Sequence, residues 1–524
     1  DVMRDRIENG WSMFENHVFQ FDFLNDEFTK CPEDLREILT DEQKRKKLVI
    51  YINPPYAEAS NARTSSGTGE NRKGLSDTKT REKYLSEIGK SINELFAQFL
   101  IRMYKEINGC TIANFSTLKI LCAPNFEKFR NVFQAKLEKL FIVPAWTFDN
   151  VKGEFPIGFF VWNTACIEQK HAVIEPVEMT NTVNTVVSTR STTDSTETAL
   201  AVSNPCGNGF IADVFDTKGL FLQTKDFKPV SDKNIINKWL HSYFDNSGEK
   251  IAWLRFVPND FQNNSGVYIT NSPNASDIRE SRITGITKKN LLIIAIYFAV
   301  RKVIEHTWIN HNDQFLFPND GWQTDFEFQG DCLTYTLFGD KNRISANPTS
   351  NSSLLTPNYF IPFTERQVGC KKAFKSTFMS DFLRDFLAGK VDVSATPQHD
   401  DGDDLFGGVA GVSPAEGVAE NAKRLERGGD FPHSDSSLVA LSFEAGSVYN
   451  AALELWKYYH AQPCANPDAS FYDIRRHFQG ETNGRMNNDS DDARYTELIG
   501  DLRQKQKALA KKIAAGVYRH GFLK

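Results

Sequence analysis

The stretch Leu48-Val49-Ile50-Tyr51-Ile52-Asn53-Pro54-Pro55-Tyr56 decides how this chain is expected to fold. A short apolar run bounded by a turn signal suits a buried strand of a parallel sheet. Two prolines stop the strand, because each fixes φ and removes a backbone donor. An amide side chain, a carbonyl-bearing turn and an aromatic ring are thereby expected just past a strand's carboxyl end, where open α/β sheets place their ligands. Transfer to an exocyclic amine suits such a set, since the amine's lone pair is delocalised into its ring. The Asn53 side-chain oxygen and the Pro54 carbonyl can accept its two N–H bonds and localise that pair, while Tyr56 stacks on the base. Positioning and preorganised dipoles supply the rate, with no metal required.

Asn53-Pro54-Pro55-Tyr56 after an apolar strand resembles motif IV of the S-adenosylmethionine-dependent amino-methyltransferases. The resemblance implies these four as the catalytic residues, S-adenosylmethionine as cofactor and, with Asn in first place, adenine N6 as acceptor. Phe19-Gln20-Phe21-Asp22-Phe23-Leu24 follows a short helical stretch over 2–14 and alternates like a strand ending in an acidic residue. It resembles motif III, which implies that Asp22 accepts a bond from the cofactor's adenine amine and Phe23 packs on the ring. The helical period over 84–107 resembles the motif V helix and is assigned packing alone. Phe155-Pro156-Ile157-Gly158-Phe159-Phe160-Val161-Trp162-Asn163 resembles motif VIII, a strand of the terminal hairpin. That implies Trp162, then Phe160, as aromatics for the face of the target base opposite Tyr56. Singly, these features also read as a proline turn, a solvent-facing Asp and an ordinary aromatic strand. Their order along the chain is far more specific than any one of them.

One departure from the family is plain. Its glycine-rich cofactor loop should precede motif III, and only a short leader precedes Asp22. The expected fold is therefore α/β, a Rossmann-like methyltransferase sheet that is N-terminally incomplete, as in a fragment of a longer polypeptide. Asn204-Pro205-Cys206-Gly207-Asn208-Gly209-Phe210 mimics the missing loop, but a turn before the next strand explains its glycines equally well.

With 524 residues the chain is too long for one typical core. The divisions expected are a partial catalytic domain over 1–175, a Thr/Ser-rich linker over 176–204, a mixed α+β target-recognition region over 205–395 and a helical region over 396–524. A net charge of −6 gives no global basic signature, so nucleic acid must be met by a local basic face. Eight scattered cysteines without a CxxC pair suit reduced thiols. Together with the missing secretory signal they point to the cytoplasm of a bacterium or of a phage-infected cell. Leu291 to Val300 is too short to span a bilayer and reads as a core helix, so no membrane is expected as a partner.

Within these divisions, 57–79 reads as a mobile loop with Arg63, Arg72 and Lys73, 118–124 as a buried strand, 125–140 as a helix and 141–146 as a strand. A hairpin is expected through Lys218-Gly219, and an acidic loop over 398–417. Helices are expected over 438–460, 471–478 and 493–518, the last carrying Arg503, Lys505, Lys507, Lys511, Lys512 and Arg519. A solvated face explains that charge run more readily than phosphate contacts do.

The reading these residues favour is a DNA adenine N6-methyltransferase of a restriction–modification or phage-defence system. Its partners would be double-stranded DNA and a restriction or specificity subunit or a fused upstream domain. Rival readings are methylation of protein glutamine or RNA bases, and a catalytically incomplete DNA-recognition fragment.

Overall fold

A computed structural model describes residues 2–10, 18–54, 77–148, 153–167, 210–215, 222–227, 229–346, 357–391 and 441–524. The chain divides into two compact units, 1–232 with 307–313, and 233–306 with 314–524.

The first unit is a mixed six-stranded sheet with helices packed on it. Helices α1 (Val2–Glu8), α2 (Glu33–Thr40) and α3 (Glu42–Arg45) precede β1 (Val49–Ile52). Then come α4 (Lys79–Ile88), α5 (Leu95–Glu106), β2 (Thr111–Thr117), α6 (Lys119–Cys122) and α7 (Glu127–Val132). Strands β3 (Ala135–Pro144), β4 (Pro156–Ile167), β5 (Phe210–Phe215) and β6 (Leu222–Phe227) complete the sheet, in the order β1-β2-β4-β3-β5-β6. β1 and β2 are parallel, with Ile52 level with Asn114, whereas β4 runs antiparallel to both its neighbours. One sheet face carries Ile112, Phe160, Trp162, Ile142 and Val214, buried under Ile88, Phe96, Leu100 and Phe129 of the helices. The other carries an aromatic row from Tyr51 through Phe115, Phe159 and Phe141 to Phe215, with successive ring centroids 4.8 to 6.4 Å apart.

The α/β class and the β3–β4 hairpin agree with the sequence, and several details do not. β1 is an edge strand with Val49 and Tyr51 over 60% exposed, not a buried one, because it pairs with β2 alone among the described residues. Residues 19–24 form no strand; they run into a turn closed by Asn25 N–H and Asp26 N–H to the Asp22 carbonyl. The single helix expected over 84–107 is two, because Gly89 ends α4 at a φ of +60°, which an L side chain disfavours. The apolar run 118–122 is a helical turn, and the strand lies seven residues earlier, where buried Asn114, Ser116 and Thr117 disguise it. The helix after it stops at Val132, and β3 begins where the amphipathic helix was expected to continue.

β5 and β6 pair as a hairpin whose second strand begins at Leu222, where the expected one ended, with Lys218-Gly219 outside the described residues; both strands belong to the first unit's sheet rather than to the recognition region. The second unit holds α8 (Ile236–His241), β7 (Ala252–Arg255), β8 (Tyr268–Thr270), α9 (Ala275–Arg279), β9 (Ile283–Ile286) and α10 (Leu291–Val303). It continues through α11 (Phe326–Leu337), α12 (Glu365–Val368), α13 (Phe378–Leu387), α14 (Phe443–His460), α15 (Phe471–Gln479) and α16 (Ala493–Arg519). α10 is buried from Leu291 to Arg301, which matches its all-round apolar sequence. One core runs from Ile236 to Leu523, so the C-terminal helices share the core of the 233–391 segment instead of forming a separate region. Trp322, Phe315 and Phe328 are buried in it. The linker over 180–198, the glycine stretch 204–209 and the acidic loop 398–417 lie outside the described residues.

Candidate functional site

The carboxyl ends of β1 and β2 lie side by side, and the sequence there turns polar. Asn53 is exposed and Pro54 buried directly after β1, while Pro55, Tyr56, Arg63, Arg72 and Lys73 lie outside the described residues. On β2, Asn114, Ser116 and Thr117 are buried. The Asn114 Oδ1 accepts the Trp162 indole N–H at 3.0 Å. Among the described residues Asn114 Nδ2, Ser116 Oγ and Thr117 Oγ1 have no hydrogen-bond partner. Each such atom costs about 1–3 kcal/mol, which a sheet core tolerates where a ligand or ordered water can meet it.

Just past β2, Lys119 Nζ lies 2.6 Å from Glu94 Oε1, with the carboxylate side chain only 4% exposed. Glu94 is the residue before α5, where the helix dipole favours a negative charge. Beside it, the Thr78 hydroxyl donates to Gln98 Oε1 at 2.6 Å and Gln98 Nε2 donates to the Ile92 carbonyl at 2.8 Å. Glu94, Lys119, Asn114 and Ser116 were not signalled by any motif. The trace they leave is alternation in Thr111-Ile112-Ala113-Asn114-Phe115-Ser116-Thr117, with polar groups on the buried side.

Asp22 and Phe23 sit in a fixed turn that packs on α5. Asp22 is exposed; its Oδ1 accepts Leu24 N–H at 3.1 Å and its Oδ2 accepts Asn25 Nδ2–H at 2.9 Å. Phe23 stacks on Phe99 with centroids 5.1 Å apart and planes 6° from parallel. Phe21 and Phe28 extend this aromatic shelf, stacked at 5.9 Å. Arg102 holds the turn down: it donates to the Phe23 carbonyl, to the Asp26 carbonyl at 2.6 Å and to Glu106 at 3.0 Å. Glu106 also accepts from Tyr84 and Lys83; burial alone would raise its carboxyl, and these donors hold it lowered. Thr80 ties α4 to the same turn by its hydroxyl, 2.8 Å from the Leu24 carbonyl.

Trp162 and Phe160 do not meet the base-stacking expectation. Both are fully buried on the helix-covered face, stacked on each other at 5.5 Å, with Phe133 edge-on to Trp162 at 5.2 Å. The strand's alternation fixes this: their face is the core, and Phe159 takes the other. Phe23, Ile50 and Ile52 pack against the same core, so the Asp22 turn and β1 share one support.

Of the basic run of the last helix, Lys505, Lys512 and Arg519 are ion-paired, whereas Lys507 and Lys511 are exposed. Lys512 pairs with Glu327, with Asp331 at 3.2 Å and with Glu444 at 3.4 Å, and Lys505 with Asp501 at 2.6 Å. Among the described residues no group of three or more His, Cys, Asp or Glu could hold a metal, and no helix is long and apolar enough to cross a membrane. Compared with models of protein families, with curated proteins and with solved structures, the chain matches none.

Proposed function

We propose that this chain is a methyltransferase that transfers a methyl group from S-adenosylmethionine to N6 of adenine in duplex DNA. The observation that carries the reading is Asn53-Pro54 at the carboxyl end of β1, beside the parallel β2, the place where open α/β sheets bind ligands. The residues present suit the cofactor's adenine end. An exposed carboxylate stands beside an aromatic shelf, and among the described residues each Asp22 oxygen accepts one bond, leaving capacity for an amine donor. Asp22 and Phe23 would hold that ring. When bound, S-adenosylmethionine supplies an electrophilic methyl.

The chain's own residues do the rest. The Asn53 side-chain oxygen and the Pro54 carbonyl accept the two N–H bonds of a flipped adenine's amine, which concentrates its lone pair along one direction. Tyr56 stacks on the base. The buried Glu94–Lys119 pair and the polar end of β2 keep preorganised dipoles beside this edge, where they act without reorganising.

The test is methyl transfer from labelled S-adenosylmethionine to mixed-sequence duplex DNA. Label in N6-methyladenine that falls by about 100-fold or more in Asn53→Ala is the expected result, the scale of losing one preorganised partner. No transfer by the wild type, or transfer indifferent to Asn53→Ala, would overturn the reading.

A further inference from the structure

The three-stranded sheet of the second unit has β8 on its outside, and the chain at 341–343 adds to that edge. Ile269 N–H donates to the Lys341 carbonyl at 3.1 Å and Arg343 N–H to the Ile269 carbonyl at 2.9 Å. Alternation then sends Lys341 and Arg343 to one side and Asn342 to the other, where Asn342 is buried and donates to the Thr336 carbonyl at 3.2 Å. The exposed Arg343 guanidinium lies 4.4 Å from the Tyr268 ring centroid, and Arg255 lies 5.6 Å from the same ring.

Lys302, in the last turn of α10, donates to the Asn264 carbonyl next to this edge. The fully buried Arg301 spends its donors on the Asn264 side chain, the Tyr297 hydroxyl and the carbonyls of Pro258 and Asp260, none of them a carboxylate. The carboxylate in the cluster, Asp277, is already engaged by Arg255 at 2.7 Å and the Tyr268 hydroxyl at 2.9 Å. Neighbouring Asp340 pairs with Arg475 at 2.8 Å. Among the described residues Lys302, Lys341 and Arg343 make no ion pair. Burial, then the charges of Arg301, Lys341 and Arg343, push the Lys302 ammonium down to about 7.

We propose that Lys302, Lys341 and Arg343 form a phosphate-contact site through which the second unit grips the backbone of duplex DNA. A phosphodiester supplies the missing negative charge, and it can take the guanidinium fork of Arg343 in two parallel bonds. Stacking on Tyr268 fixes that fork in advance, so less side-chain freedom is lost on binding. Lys341 acts as a point charge on a neighbouring phosphate oxygen, and the anion restores the charged form of Lys302, which burial and the neighbouring cations disfavour. The choice of DNA as the source of the phosphate rests on the methyltransferase reading; the anion chemistry does not.

The experiment is binding of a fluorescent mixed-sequence duplex by the full chain across a salt series, comparing wild type with Lys341→Gln/Arg343→Gln. The expected result is affinity about 10-fold weaker near 100 mM salt and a log K against log salt slope shallower by about 2, the loss of two phosphate contacts. Lys371→Gln/Lys457→Gln, which removes the same two charges from exposed residues outside the cluster, should match wild type and controls for net charge. Equal affinity and slope in the double variant and wild type would overturn the proposal. So would a wild type that binds inorganic phosphate at these residues and binds no duplex. Methyl transfer is not read, so the two proposals fail separately: binding through these residues with no transfer would overturn only the enzymatic reading, and transfer with unaltered variant binding only this one.

Discussion

The indole N–H of Trp162 donates to Asn114 Oδ1 across the β2–β4 pair at 3.0 Å, in the middle of a helix-covered sheet face. This bond gives a buried amide part of the hydrogen bonding it lost on leaving water, and it joins the aromatic strand to the strand whose end carries the polar cluster. Trp162→Phe keeps most of the ring but leaves Asn114 Oδ1 without its donor, at a cost of about 2 kcal/mol. Trp162→Ala adds a cavity and should cost about 4 kcal/mol in urea unfolding. A Trp162 variant with wild-type stability but impaired stacking of an extruded 2-aminopurine would return this ring to the site.

The Glu94–Lys119 pair makes a second prediction. Lys119→Met removes the ammonium from beside a buried carboxylate and should destabilise by about 3 kcal/mol, because the desolvated charge then lacks that partner. Glu94→Gln with Lys119→Met should recover most of the loss. A double-mutant cycle in denaturant reads the coupling, and independent, additive effects would show that the two groups do not act as a pair.

Acid stability should report Asp245. Burial alone would raise its carboxyl, but bonds from Ser247 N–H at 3.0 Å, the Ser247 hydroxyl at 2.7 Å and the Thr287 hydroxyl at 2.8 Å outweigh it and hold it down to about 2. A folded-state value below the unfolded one means that the unfolded chain binds the proton first as pH falls. The contribution is therefore complete above about pH 4 and is lost as pH falls toward 2, roughly 2 kcal/mol in all. Wild type should lose that much more stability than Asp245→Asn between about pH 5 and pH 2. Parallel curves for the two proteins would refute the assignment.

The sequence by itself determined the element types where pattern and burial coincide. The all-round apolar run of α10, the amphipathic α15 and α16 and the strand from Pro156 stand where the sequence puts them, the β5–β6 hairpin forms with its second strand displaced toward the C-terminus, and Asn53-Pro54 does end a strand. Tertiary structure decided the rest, and for a consistent reason: local pattern says that one side of an element is buried, and only packing says which partner buries it. Trp162 and Phe160 follow the alternation expected of them, yet their side of the sheet is the one the helices cover. Thr111–Thr117 is a central strand in spite of Asn114, Ser116 and Thr117, whose polarity hid it from a reading based on apolar runs. Lys341 and Arg343 gather with Lys302 only because a single parallel bridge at Ile269 brings chain segments about seventy residues apart into register, a pairing that no spacing in the sequence encodes.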